Sequence, residues 1–182
     1  MSARIEPTTP ENAPEATRPL LAQMKQAFGM IPQLYATIGH SPASLQGVLA
    51  WDAGLGKGAL SKRELEQLHL HVSELNGCGY CIAAHSAVAR GAGLSTEEIE
   101  AARAGSGANP RENALLGLAR RVVRTGGAHT GSELAQAREA GVSDAAIVDA
   151  IAVVALKTFT NAVALVAQTT IDFPKVKRMP AD

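Results

Sequence analysis

Three times the chain opens a helix in the same way, with an apolar residue, a serine, and a short polar or small stretch before the next apolar position: Leu60-Ser61-Lys62-Arg63-Glu64-Leu65, Leu94-Ser95-Thr96-Glu97-Glu98-Ile99 and Val142-Ser143-Asp144-Ala145-Ala146-Ile147. In the first two, the glutamate three residues after the serine makes a capping box, in which hydroxyl and carboxylate satisfy each other's orphan amides. The unequal intervals make this shared helix-start chemistry and not a solenoid repeat. Ser41-Pro42 and Asn109-Pro110 each place a cap residue before a proline at the first helical position. No stretch alternates apolar and polar residues as a strand would, so the pattern predicts an all-α chain.

Pro7, Pro10, Pro14 and Pro19 puncture residues 1–19, which read as an extended N-terminal arm. A helical domain over 20–172 and a C-terminal tail, 173–182, loosened by Pro174 and Pro180, complete the division. Within the domain, Leu20 to Phe28 closes at Gly29 and a short helix follows from Pro32 to Ile38. The next helix, with Leu45, Val48 and Leu49, stops at the cluster Gly54, Gly56 and Gly58. That cluster lacks the Gly-Lys-Ser/Thr ending of a phosphate loop, so Lys57 reads as a solvated cation. After Asn109-Pro110, Leu115, Leu118, Val122 and Val123 turn inward before Gly126-Gly127. From Ser143 to Ile171, with Ile147, Ile151, Val154, Leu165 and Val166, the pattern reads as one long helix, apolar nearly all round, that is central or meets another subunit.

Formal net charge is 0 and aromatic residues make up 3%, so nothing favours a nucleic-acid partner. The longest apolar stretch, Ala150 to Leu156, is far short of the ~20 residues that cross a bilayer, and the N-terminus has no secretory pattern. A cytoplasmic protein with no membrane partner is expected. In a reducing compartment a cysteine pair points to catalysis or metal binding rather than to a structural staple.

The two cysteines of the chain stand in Cys78-Gly79-Tyr80-Cys81, with His85 four residues on. Leu65, Leu68, Val72 and Leu75 line one face of the preceding helix, and Asn76-Gly77 ends it. A helix restarting at Cys78 carries residues 78, 81 and 85 on one face. The helix start favours a thiolate at Cys78, and His85 offers Cys81 a base, so residue chemistry alone makes Cys78 the stronger nucleophile. Zinc would find Cys78, Cys81 and His85, with Glu66 or His69 as a fourth ligand; a buried inert pair is the third reading. His40, His71 and His129 show no such register and read as structural or surface groups, as does His69 outside the zinc set. Trp51, Tyr35 and Tyr80 read as packing residues. No dinucleotide fingerprint is present.

Glu66 precedes Cys78 by twelve positions, and together with Cys78, Cys81 and His85 this resembles the signature of the AhpD-like alkylhydroperoxidases of the carboxymuconolactone decarboxylase superfamily. The flanks Phe28 to Pro32, Ser41-Pro42, Asn113 to Ala119 and Gly141 to Asp144 extend the likeness over about residues 20 to 172. The resemblance implies a thiol-dependent peroxidase without a bound cofactor. Its catalytic residues would be Glu66, Cys78, Cys81 and His85, with Cys81 attacking the peroxide and Cys78 closing a redox-active Cys78–Cys81 disulfide. It further implies a hydroperoxide substrate, a dithiol electron donor such as a lipoyl-bearing protein, and a homo-trimer or homo-hexamer. The alternatives are a decarboxylase-like acid/base enzyme of the same superfamily and a non-catalytic redox-sensing oligomer. One position departs from the pattern: better-studied relatives carry a histidine where this chain has Tyr80, and a phenol of pKa about 10 is no base near neutrality.

Overall fold

The computed structural model describes residues 3–177 and 179. Among them the chain is all helical: α1 (Arg18–Phe28), α2 (Gln33–Ile38), α3 (Pro42–Leu55), α4 (Lys62–Leu75), α5 (Gly79–Gly91), α6 (Thr96–Ala104), α7 (Pro110–Thr125), α8 (Gly131–Glu139) and α9 (Asp144–Ala167). The predicted starts hold because local chemistry sets them. Ser61 and Ser95 make complete capping boxes with Glu64 and Glu98, and Ser41, Asn109 and Ser143 each accept a backbone N–H from the first turn.

α4 is the hub, packing against α5, α6, α7 and α9. Nine of its residues are buried, polar Glu64, Gln67, His69, His71 and Ser73 among them. One apolar cluster, with Leu68, Leu115, Leu118 and Val153, joins α4 to α3, α7 and α9. A second gathers Leu21, Leu45, Cys78, Cys81 and Ala164. The cysteine pair is thus built into a core rather than displayed on a surface. Charged networks tie α4 outward: Arg63 bridges Glu98 at 2.7 Å and Glu112 at 3.0 Å, and Arg111 reaches Glu64 at 2.6 Å.

Four expectations are revised. The N-terminal arm is not extended: residues 10–12 and 15–17 form turns, Ala13 and Thr17 are buried, and the Thr8 and Thr17 hydroxyls donate to Ala36 O and Gly39 O at 2.7 and 2.8 Å. Pro7, Pro10 and Pro14 lie in this folded-back path, whereas Pro19 sits in the first turn of α1, where a proline is tolerated. α3 runs through Gly54 to Leu55, because an isolated helical glycine costs only about 1 kcal/mol. α8 was not foreseen, since it buries a single residue, Ala137, and shows no apolar stripe. The described part of the tail is held rather than loose: Lys177 O accepts from Arg103 at 2.6 Å, and Met179 N donates to Glu74 at 3.2 Å. Pro180 lies outside the described residues.

α9 is central, but its buried face is not the one foreseen. Ile147 and Val154 are buried with Ala146, Ala150, Val153 and Leu156, whereas Ile151, Leu165 and Val166 are exposed. An alanine-rich helix offers two apolar faces, and packing against its neighbours chooses between them. α9 is long and apolar enough to cross a membrane by length and composition alone, with half of that window buried inside the protein.

Leu68 is fully buried at the meeting of α4 with this core. Leu68→Ala should lower unfolding free energy by about 2–5 kcal/mol in urea denaturation followed by circular dichroism.

Candidate active site

The site begins at the break between α4 and α5. Gly77 adopts φ +67, and the backbone closes the helix with Gly77 N to Glu74 O at 2.9 Å and Cys78 N to Ser73 O at 2.9 Å. This paired closure requires a left-handed residue, which is why glycine stands there. Cys78 then serves as the N-cap of α5, its sulfur accepting the Cys81 N–H at 3.5 Å. One residue therefore ends one helix and starts the next, and it fixes the spacing of the pair. Both thiols are free and buried, and they lie at 3.3 Å.

Glu66, from the middle of α4, faces α5. His85 Nδ1 lies 2.9 Å from Glu66 Oε2, and Lys157 Nζ of α9 lies 2.7 Å from His85 Nε2. An ammonium only donates, so Nε2 is the acceptor and the hydrogen sits on Nδ1, directed at the carboxylate. The three residues form a continuous Glu–His–Lys chain across three helices. Four residues on from Lys157, Asn161 accepts from Asn76 Nδ2 at 2.9 Å and donates to Ser73 Oγ at 3.3 Å, pinning α9 to the helix break.

This chain decides the electrostatics. Burial and the Lys157 charge push the His85 imidazolium down to about 3, which keeps His85 neutral. Burial would raise the Glu66 carboxyl, but the imidazoles of His85 and His69 outweigh it and hold Glu66 well below the usual carboxylate range. The hydrogen bond from the Cys78 thiol, with the Lys157 charge and the Asn161 amide, holds Cys81 below an ordinary thiol against its burial. Cys78 is held high by its hydrogen bond to Cys81 and by burial. The two directions are opposite, with Cys81 held low and Cys78 held high. The helix start acts through the Cys81 N–H that Cys78 accepts, and it does not outweigh the thiol partner.

A cavity of about 300 Å³ opens beside the site. Cys81 lines it, together with Glu66, His69, His85 and Lys157, while Cys78 does not. Phe28, Met30, Leu34, Leu156 and Phe173 make most of its wall apolar. The sequence therefore placed Glu66, Cys81 and His85 where the structure brings them together, with Cys78 directly behind.

Three residues were missed or misjudged. Lys157 and Asn161 carry no local motif; their i,i+4 spacing puts two polar groups on one face of an apolar helix but does not connect them with α5. His69, read as a structural or surface group, is buried and also lines the cavity. It is 5% exposed, its Nδ1 lies 3.4 Å from Glu66 Oε1, and neither ring nitrogen makes a hydrogen bond among the described residues. An unpaired buried polar group costs about 1–3 kcal/mol.

Tyr80 is structural. Its hydroxyl accepts Leu34 N–H at 3.2 Å, its ring meets Phe173 edge-on at 5.7 Å, and burial raises its phenol, so it cannot act as a base. Asp172 accepts the neighbouring Gln33 N–H at 2.7 Å, and the two side chains together serve the first turn of α2.

The zinc set drawn from the sequence is not assembled as such, because both nitrogens of His85 are engaged. Glu66, His69 and His85 do bring ligand atoms within 4.8 Å of one another. The Lys157 ammonium at 2.7 Å from His85 Nε2 opposes a second cation there.

The model of the carboxymuconolactone decarboxylase family matches residues 42–121, which span α3 to α7 and contain Glu66, Cys78, Cys81 and His85. Among solved structures, an alkylhydroperoxidase AhpD core from Ralstonia eutropha JMP134, an uncharacterized peroxidase-related protein, covers 94% of this chain and 93% of its own with a TM-score of 0.85 at 22% identity. Residues 42–121 of the chain are thus similar to the carboxymuconolactone decarboxylase family, and the chain as a whole shares the AhpD-like fold. The debrominase Bmp8 in complex with 2,3,4-tribromopyrrole shares the fold at a TM-score of 0.77, 19% identity, and coverage of 94% of this chain and 93% of that one. An alkyl hydroperoxide reductase AhpD from Azorhizobium caulinodans is 48% identical over 48 residues, 26% of this chain and 26% of that relative. The chain spans about a quarter to a third of the length of the curated relatives it matches.

Lys157→Met removes the cation beside Cys81. The pH midpoint of iodoacetamide alkylation, which follows the thiolate, should rise by about one unit or more, and alkylation at neutral pH should slow by about tenfold per unit. An unmoved midpoint would show that the cation does not hold the thiolate.

Proposed function

We propose that the protein is a thiol-dependent peroxidase that reduces hydroperoxides through a Cys78–Cys81 dithiol/disulfide cycle. The observation that carries this reading is that Cys81, the thiol held lower of the pair, lines an apolar cavity with a second thiol behind it. Matches to proteins named alkyl hydroperoxide reductase AhpD support it.

In the cycle, the Cys81 thiolate attacks the terminal oxygen of a hydroperoxide. The S–O bond forms, the O–O bond breaks, and the electron pair leaves on the alkoxide. That alkoxide takes a proton from the Lys157 ammonium, and the neighbouring His85, anchored by Glu66, stabilises the changing charge. The Cys78 thiol then condenses with the Cys81 sulfenic acid, forming the disulfide and releasing water. An external dithiol reduces the disulfide, becomes oxidised itself, and returns the proton to Lys157 as the Cys81 thiolate re-forms. A lipoyl-bearing protein has the chemistry for this donor.

A homo-oligomer belongs to the same proposal. Val148, Ile151, Phe159 and Val166 form an exposed apolar stripe along α9, opposite its buried face. Such a stripe suits a contact with a second copy.

With cumene hydroperoxide as substrate and dihydrolipoamide as donor, Cys81→Ser should consume no peroxide. Cys78→Ser should complete a single turnover, leaving a sulfenic acid that dimedone traps, and then stop. Full steady-state turnover by Cys78→Ser would reject the two-cysteine cycle. Activity that survives thiol alkylation would favour acid/base chemistry instead.

A further inference from the structure

Glu66 faces two imidazoles, and only one of them is fully engaged. Its Oε2 meets His85 Nδ1 at 2.9 Å, and the far nitrogen of His85 is taken by Lys157 at 2.7 Å. Its Oε1 faces His69 Nδ1 at 3.4 Å, and His69 has no further partner among the described residues. The two rings stand 4.4 Å apart, centroid to centroid. His69 is 5% exposed and lines the cavity with Cys81.

With a carboxylate facing Nδ1, the ring carries its hydrogen there and leaves Nε2 as an acceptor. A buried acceptor needs a donor. Nearby Lys157 and Asn161 each direct a hydrogen at another acceptor, His85 and Ser73, and neither bonds His69 among the described residues. The other polar side chains on the wall, Tyr35, Asp52, Tyr80 and Thr160, make no hydrogen bond to His69 among the described residues, so a ligand with a single polar end can supply the donor.

We propose that His69 is a further catalytic residue, whose Nε2 accepts the hydroxyl hydrogen of an apolar organic hydroperoxide while Phe28, Met30, Leu156 and Phe173 hold its carbon substituent. This deepens the peroxidase reading and rests on it. The bond orients the terminal oxygen toward Cys81. When the thiolate attacks, that oxygen keeps its hydrogen and becomes the sulfenic hydroxyl, and the alkoxide leaves as described. Hydrogen peroxide has the same donor but no substituent to fill the apolar wall, so it is the poorer substrate.

The test separates the role of His69 from that of the thiolate. The second-order rate of Cys81 oxidation by cumene hydroperoxide is measured beside the rate of its reaction with methyl methanethiosulfonate, which has no O–H group. His69→Phe should slow the first by about tenfold or more and the second by less than about threefold, the scale of one lost hydrogen bond. His69→Gln, which retains an acceptor oxygen, should recover part of the loss. Equal slowing with both reagents, or none with the hydroperoxide, overturns the proposal.

A binding arm needs no turnover. Cumyl alcohol should bind the wild-type protein more tightly than its methyl ether and shift the ¹⁵N resonance of His69 Nε2, and the preference should vanish in His69→Phe. Absence of that preference, or its survival in the variant, rejects the role of His69. Loss of all peroxide consumption by the wild type, with the alcohol preference intact, rejects the peroxidase reading and leaves the donor site standing.

Discussion

A lysine buried to 5% exposure on an apolar helix is the interaction on which the site depends. A buried ammonium is tolerated only where polar or charged groups surround it. Here Lys157 meets His85, which in turn meets Glu66, so the cost of burying one charge is met by a chain that crosses α9, α5 and α4. The same charge lowers Cys81 and keeps His85 neutral. Removing it would act on the thiol and the imidazole together. Measurements on either one therefore report on both.

The division of labour between the cysteines follows from one short piece of backbone. Gly77 closes α4 in a left-handed conformation, and Cys78 becomes the cap of α5, its sulfur turned to the Cys81 amide. As a buried cap, Cys78 loses the advantage that helix starts usually give a thiol. Cys81, one turn on, receives the hydrogen bond, the cation and the cavity. Two identical side chains three residues apart thus acquire opposite tendencies from position alone.

Much of the fold was legible because its signals are local. A capping box needs only a serine and a glutamate three residues apart, and each of the five predicted cap residues, Ser41, Ser61, Ser95, Asn109 and Ser143, accepts its backbone N–H as expected. α8 escaped because it has almost no buried face. The orientation of α9 escaped because alanine makes two of its faces equally plausible in one dimension. Of the site, Glu66, Cys78, Cys81 and His85 could be found from spacing on adjacent helices. Lys157, 72 positions beyond His85, could not, since no local rule connects α5 with α9.

By itself, then, the sequence determined the helices other than α8, the five capped starts, the break at Asn76-Gly77 and the register that aligns two thiols with an imidazole. These depend on backbone hydrogen bonds and side-chain spacing within a few residues. The tertiary structure alone decided which thiol lines the cavity, that Tyr80 and Asp172 serve the first turn of α2, and that His69 stands beside Cys81 on the cavity wall. Those outcomes depend on burial and on charges brought together from distant segments, and a pKa answers to what surrounds a group in space, not to its neighbours along the chain.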